Sequence, residues 1–162
     1  MNATSVPEIP PSRASRPGRR RKLLLAAAAL AWLVAMAAAF RYSAAGGFTW
    51  HMALHLLNVT AIAPLAAFAV RHGIPLRAPI PLLAAFAEFV VVWAWHAPAA
   101  HAFARDGTAG FLLEQASFVA GAWLLWASVA DAVERQDRGA IAQSVLALLL
   151  TSMHMTLLGA VL

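Results

Sequence analysis

The chain lacks cysteine entirely and carries little charge for its length of 162 residues. The absence of cysteine excludes disulfides, zinc–thiolate sites, cysteine nucleophiles and thiol-based copper chaperone motifs. Charged residues make up 12% of the sequence, whereas a typical soluble domain has about 25%. Hydrophobic residues make up 62%, more than the core of so small a domain could bury. The composition therefore predicts a protein whose solvent is a lipid membrane.

The basic residues are concentrated at the N-terminus. Half of the Lys and Arg residues lie within residues 1–22, a stretch rich in Pro, Ser and Arg. This stretch has no apolar period, so we expect a disordered cytoplasmic tail. The formal net charge of +5 thus reflects a local basic tail rather than a basic surface. We therefore expect no nucleic-acid partner.

Five apolar segments follow this tail. They cover approximately residues 23–40, 52–70, 80–96, 109–130 and 140–162. Each is close to the roughly 20 residues that a helix needs to cross a bilayer. The sequence therefore predicts an all-α fold, a polytopic transmembrane helix bundle over residues 23–162, with no separate soluble domain.

The distribution of basic residues predicts the orientation of the bundle. With the N-terminus in the cytoplasm, ten Lys and Arg residues fall on the cytoplasmic side, and only Arg41 and Arg105 fall outside. The basic run followed by small residues at 37–39 also resembles a signal peptide. The full span length of the first segment favours an uncleaved helix, and cleavage would leave four helices in the same orientation.

This topology places most of the residues that can bind metals near the outer face. The second segment enters the membrane there, the third leaves it there, and the fifth approaches it. Of the six histidines, only His72 is predicted to be cytoplasmic. Glu88 lies near mid-membrane, where it is either protonated and hydrogen-bonded or part of a proton or ion path. The candidate metal ligands are His51, Met52, His55, His96, Met153, His154 and Met155.

The types of these side chains indicate a soft metal. His51 and His55 are four residues apart, which places both imidazoles on one face of a helix. Imidazole combined with thioether suits copper(I) much better than magnesium or calcium. We interpret His101 as an interfacial polar residue, and Glu114 as a cap or a partner of Arg105. Because no Ser-His-Asp grouping, phosphate-binding glycine loop or paired carboxylates are evident, we expect no enzyme.

Several stretches resemble the CtaG family of cytochrome c oxidase assembly proteins, which are integral membrane proteins. The segment FLLEQASFVAGAWLLWASV resembles the helix that follows the family's WH-x-P motif. Together the matching stretches cover most of residues 50–162. The other three are WHMALHLLNVTAIAPLAAF from Trp50 to Phe68, VVWAWHAPAAHAF from Val91 to Phe103, and SMHMTLLGAVL from Ser152 to Leu162.

The resemblance implies a protein of the bacterial plasma membrane that assists the maturation of haem–copper cytochrome c oxidase. It would pass copper to the buried copper centre and contact the oxidase subunits. Family members commonly have about seven helices, so this chain resembles a shortened member. An unrelated single-span copper chaperone shares the family name but needs cysteines. On this hypothesis the primary ligands are His51, His55, His96 and His154, with Met52, Met153 and Met155 as soft auxiliary ligands.

Two further functions stay open on the sequence. A redox membrane protein could bind haem b between helices, for example through His55 and either His96 or His154. Alternatively, the chain could be a scaffold for oxidase assembly that binds no metal. In that case its histidines would merely line a wet vestibule.

Overall fold

The fold is helical throughout the regions that the structure describes. A computed structural model of the chain describes residues 17–42, 47–70 and 80–161. Seven α-helices and one π-helical turn account for nearly all of these residues. The all-α fold predicted from the sequence is therefore confirmed.

All five predicted apolar segments form helices. Within the described ranges, four stretches are individually long and apolar enough to cross a membrane, namely 21–38, 49–70, 108–134 and 138–161. A fifth candidate is a pair of helices, Pro81–His96 and Pro98–Asp106, bent by 73° with respect to each other. The chain is thus a helix bundle with up to five membrane spans.

The helix ends differ from the predicted segment boundaries. Helix α1 spans Pro17–Tyr42, so residues 17–22 are helical and were wrongly assigned to the tail. Proline is well tolerated at the first position of a helix, and Arg and Lys are good helix formers. Residues 1–16, the remainder of the predicted tail, lie outside the described residues. Helix α6 spans Thr108–Glu134 and α7 spans Arg138–Val161.

The second span is built from three consecutive elements. These are α2 (Gly47–Leu57), the π-helical turn Asn58–Ile62 and α3 (Ala63–Val70). Pro64 lacks an amide hydrogen, and in a regular α-helix its ring would clash with the carbonyl of residue 60. The wider π turn accommodates the proline, and the amide of Ala63 bonds to the carbonyl of Asn58. The irregularity that precedes Pro64 is therefore a π turn.

Helix α6 lies at the centre of the bundle. It contacts α3, the π turn, α5 and α7, and it packs most extensively against α4, which spans Pro81–His96. Small residues allow this close packing, as at Gly121, whose backbone lies against Glu88 of α4. Helix α1 packs against the second span and leaves much of its surface exposed. The polar residues of α6 can therefore meet side chains from several helices.

A proline separates α4 from the short helix α5, which spans Pro98–Asp106. Ala97 is extended, and Pro98 starts a new helix that folds onto α6. The stretch predicted to be an outer loop is therefore largely helical. Gly110 makes the close approach of α5 and α6 possible, because a Cβ there would overlap the backbone carbonyl of Phe103. We call this end of the bundle, where α2 and α6 begin and α4 ends, the histidine end.

We predict that Gly110→Ala destabilises the protein, because the added methyl group must displace the backbone of α5. Over-packing of this kind typically costs about 1–3 kcal/mol. Thermal unfolding of the detergent-purified protein should show a lower midpoint. Gly159→Ala is the matched control, since a Cβ at this exposed position of α7 meets no atom within 4 Å. A midpoint of Gly110→Ala equal to that of the control would contradict the described α5–α6 packing.

Candidate metal centre at the histidine end

Two of the predicted ligands, His51 and His96, are in direct contact. Their Nε2 atoms are 3.3 Å apart, and the rings meet edge to face. The Nδ1 atom of His96 lies 2.7 Å from the carbonyl oxygen of Val92, to which it donates its proton. The Nε2 atom of His96 is therefore the unprotonated nitrogen. This pattern, in which a backbone acceptor fixes the tautomer and leaves Nε2 free, is typical of metal-binding histidines.

His55 completes a group of three imidazoles. It is only 1% exposed, and its ring centroid lies 6.2 Å from that of His96. Phe118 of α6 stands edge to face against His55, with ring centroids 4.2 Å apart. Neither ring nitrogen of His55 has a hydrogen-bond partner among the described residues. A buried polar group without a partner lowers the stability of the protein. The two nitrogens of this imidazole are therefore available to a further ligand.

Three further polar residues, His101, Arg105 and Glu114, lie close to the His51 ring. Single ligand atoms from His51, His101 and Glu114 all lie within 4.8 Å of one another. Arg105 of α5 donates a hydrogen bond of 2.8 Å from Nη2 to Nδ1 of His51. The same Nδ1 lies 3.9 Å from Oε2 of Glu114. Because Nδ1 accepts this bond, the ring proton of His51 is on Nε2, which donates it to His96.

Two hydrogen bonds from side-chain amides, made in sequence, connect Asn58 to Glu114 through Gln115. Gln115 donates from Nε2 to Oε2 of Glu114 at 3.1 Å, and Asn58 donates from Nδ2 to Oε1 of Gln115 at 2.9 Å. All three side chains are buried. Asn58 begins the π turn, an irregularity that occurs frequently at functional sites. The second oxygen of Glu114, Oε1, has no partner in the described part of the chain.

His154 is engaged elsewhere. Its Nε2 lies 2.9 Å from Oε2 of Glu88, and Thr151 also donates to this carboxylate oxygen at 3.3 Å. Since a carboxylate accepts, the Nε2 atom of His154 carries the proton. Across the described residues, no hydrogen bond or ring contact joins His154 to His51, His55 or His96. The predicted group of four histidines is therefore observed as a group of three, with His154 paired to the intramembrane carboxylate.

The predicted methionine ligands do not form a set. Met153 is 68% exposed and lies beside the groove between α4 and α7. Met155 packs against the apolar cluster of Val92, Phe118 and Leu158. Met52 is half-buried, next to His51 in the sequence. The donors that the structure brings together are thus nitrogen and carboxylate oxygen rather than sulfur.

The sequence interpretation missed two members of this site. His101 was interpreted as an ordinary interfacial residue, and Glu114 as a cap or a partner of Arg105. Instead, α5 folds onto α6, so His101 meets the His51 ring, at 5.7 Å between centroids. The position of Glu114 in the sequence could have indicated its role, because it places a carboxylate inside an apolar helix at the same depth in the membrane as the histidines. Such residues ordinarily face the bundle interior and have a partner there.

The geometry fits a bound metal ion. Two nitrogens that each lie about 2.0–2.1 Å from one tetrahedral ion are about 3.3 Å apart. The observed Nε2–Nε2 distance between His51 and His96 is 3.3 Å, so an ion could replace the shared proton with little movement of either ring. His55, with both nitrogens unpartnered, lies with its ring centroid 6.2 Å from that of His96, so its ring would have to move toward the pair to become a third ligand, because the three histidines do not bring one nitrogen each within 4.8 Å of one another. No family model, curated protein or solved structure matches this chain.

We predict strong coupling between Glu88 and His154. Removing one partner of a buried hydrogen bond typically costs about 1–3 kcal/mol, because the other polar group is left unpaired. Thermal unfolding should therefore show a large destabilisation for His154→Leu. The double variant with Glu88→Leu should recover part of the loss, since both polar groups are then absent. Additive effects in this double-mutant cycle would contradict the pairing.

Proposed function

We propose that this chain binds a copper ion through His51, His55 and His96 and assists the assembly of haem–copper cytochrome c oxidase. The observation that carries the proposal is the buried histidine group, in which both ring nitrogens of His55 have no partner among the described residues. A bound cation would provide a partner for a nitrogen lone pair of His55, which is costly to bury without one. The ion is cargo in this proposal, because the role is delivery rather than catalysis.

The choice of copper has two supports. Imidazole is a good ligand for copper, and copper(II) forms the strongest complexes in the series of divalent first-row metals. The stretches around Trp50, Val91 and Ser152 resemble the CtaG family, which implies a role in oxidase maturation. The donor set alone would also accept zinc, because the methionines lie apart from the three histidines. Metal analysis therefore has to include both ions.

The residues of the chain would act on the ion in distinct ways. His96 presents an unprotonated Nε2, because its Nδ1 donates to the carbonyl of Val92. His55 is held by the ring of Phe118, which also limits access of water. Access to the group is from the side of Arg105, which is exposed. An ion in this site would therefore be held in an apolar interior and be reachable from one end of the bundle.

The contact between His51 and His96 supports an ion over haem b. A haem bound by two histidines lies between their rings and needs a slot as wide as the macrocycle. Of the candidate haem ligands, Nε2 of His96 is only 3.3 Å from Nε2 of His51, Phe118 packs against His55, and His154 is bonded to Glu88. A haem would require these rings to separate, whereas an ion would not.

We predict that the purified protein retains about one copper ion per chain after unbound copper is washed away, and that His55→Ala with His96→Ala abolishes this tight binding. Losing two of three nitrogen ligands leaves too few donors to hold the ion. Elemental analysis after reconstitution with copper(I) measures the ratio, and the absorption spectrum tests for a haem band. The matched control is His72→Ala, because the sequence places this histidine at the other membrane face. Undiminished copper in the double variant would refute the ligand assignment.

We also predict a cellular consequence. Cells that carry only the His55→Ala, His96→Ala variant should assemble oxidase with less copper in its copper centre. The membrane content of the variant must equal that of the original protein, which immunoblotting checks. Normal copper content and oxidase activity in these cells would support the scaffold function instead. That outcome would refute copper delivery even if the purified protein binds copper.

A further inference from the structure

The two nitrogens of His51 face different groups. Nε2 lies 3.3 Å from Nε2 of His96, whose ring centroid is 6.2 Å from that of His55. Nδ1 faces the opposite side, where Arg105 donates to it at 2.8 Å and Oε2 of Glu114 lies 3.9 Å away. We call the first side, with His55 and His96, the inner position. The second side, with Glu114, is the outer position, and it includes His101 because one ligand atom each of His51, His101 and Glu114 lie within 4.8 Å of one another.

A neutral imidazole can serve only one of these positions at a time. One ring nitrogen carries the proton, and only the other has a lone pair for a metal. In this structure Nδ1 accepts a hydrogen bond, so the lone pair of His51 points toward the outer position. A single histidine shared by two ligand sets would therefore let one ion occupy either set, but not both together.

The outer position already holds a cationic group. The guanidinium of Arg105 bonds to Nδ1 of His51, as a metal ion there would. Glu114 is 0% exposed, and its Oε1 has no partner within the described ranges. A buried carboxylate oxygen without a donor, next to two imidazoles, is a vacant ligand for a cation. The side chain of Arg105 is exposed, so it can leave the position without opening the bundle.

We infer that His101, Glu114 and Nδ1 of His51 form an entry site for a metal ion, which His51 then passes to His55 and His96. This inference rests on the proposed function, because it assumes that the inner histidines hold the ion. Arg105 occupies the entry site when no ion is present. An arriving ion displaces the guanidinium and takes Nδ1 of His51 together with His101 and Glu114.

The transfer requires a change of tautomer and no net change in protonation. When the ion moves inward, Nε2 of His51 loses its proton and takes the ion. Nδ1 releases the ion, takes up the proton that Nε2 has lost, and donates a hydrogen bond to Glu114. The same carboxylate is thus a ligand in the outer state and the hydrogen-bond acceptor that orients His51 in the inner state. Carboxylates commonly orient metal-bound histidines in this way.

The rate at which copper loads into the protein tests this inference. Copper(I) is supplied from a coloured copper(I) chelator to the detergent-purified full chain, and the loss of colour is followed in time. His101→Ala should load at least about tenfold more slowly, an effect typical of losing one partner in a metal site. One ion per chain should still be bound at the end. Arg105→Gln should load faster, because it keeps a hydrogen-bond donor but removes the competing charge.

A second variant makes the outer position visible. With His55→Ala and His96→Ala the inner position is gone, and excess copper(I) should still bind weakly and be lost when Glu114→Gln is added. X-ray absorption of the bound copper should show an oxygen ligand in the first case.

Two outcomes would overturn the entry site. If His101→Ala abolishes copper binding altogether, the two positions are one site. If it loads at the original rate, His101 takes no part. An original protein that binds no copper at all would instead refute the proposed function, so the two failures are distinguishable.

Discussion

The free-energy cost of burying polar side chains in an apolar helix bundle determines which helix faces pack together in this structure. An ionisable group cannot face lipid cheaply, and it cannot stay unpaired in the interior. Helix α6 lies at the centre of the bundle, so its Glu114 and Gln115 become the partners of side chains from the second span. On α4, the only other buried carboxylate of the described residues, Glu88, is paired with His154 of α7. The polar contacts therefore define which helix faces meet.

Two polar groups result, and each contains atoms without a partner among the described residues, which in the Glu88 group are Oε1 of Glu88 and Nδ1 of His154. In the Glu88 group, one carboxylate oxygen accepts from both His154 and Thr151. In the group at the histidine end, both nitrogens of His55 and one oxygen of Glu114 have no partner among the described residues. The first group links α4 to α7 through hydrogen bonds. The second has unused donors that converge beside an exposed arginine, which is the arrangement expected where a cation enters.

Much of the fold followed from the hydrophobic segments, because their lengths match a bilayer and lipid leaves few alternatives to a helix. The spacing of His51 and His55 likewise predicted that both imidazoles lie on one face of a helix, and both are buried. What the sequence could not give was the pairing between helices. Depth along the membrane placed His154 level with His55, but depth says nothing about which neighbour a side chain faces. The fold of α5 onto α6, which brings His101 to His51, depends on the bend at Pro98 and on the close approach at Gly110.

The tautomers link the two halves of the site. His96 is fixed by the carbonyl of Val92, so its role cannot change without breaking a backbone contact. His51 has no such anchor, because each of its nitrogens faces a side chain that can move or exchange a proton. The fixed histidine is therefore suited to holding an ion and the unfixed one to transferring it. A protein that delivers metal needs both properties, since an ion bound only by fixed ligands would be released too slowly to be passed on.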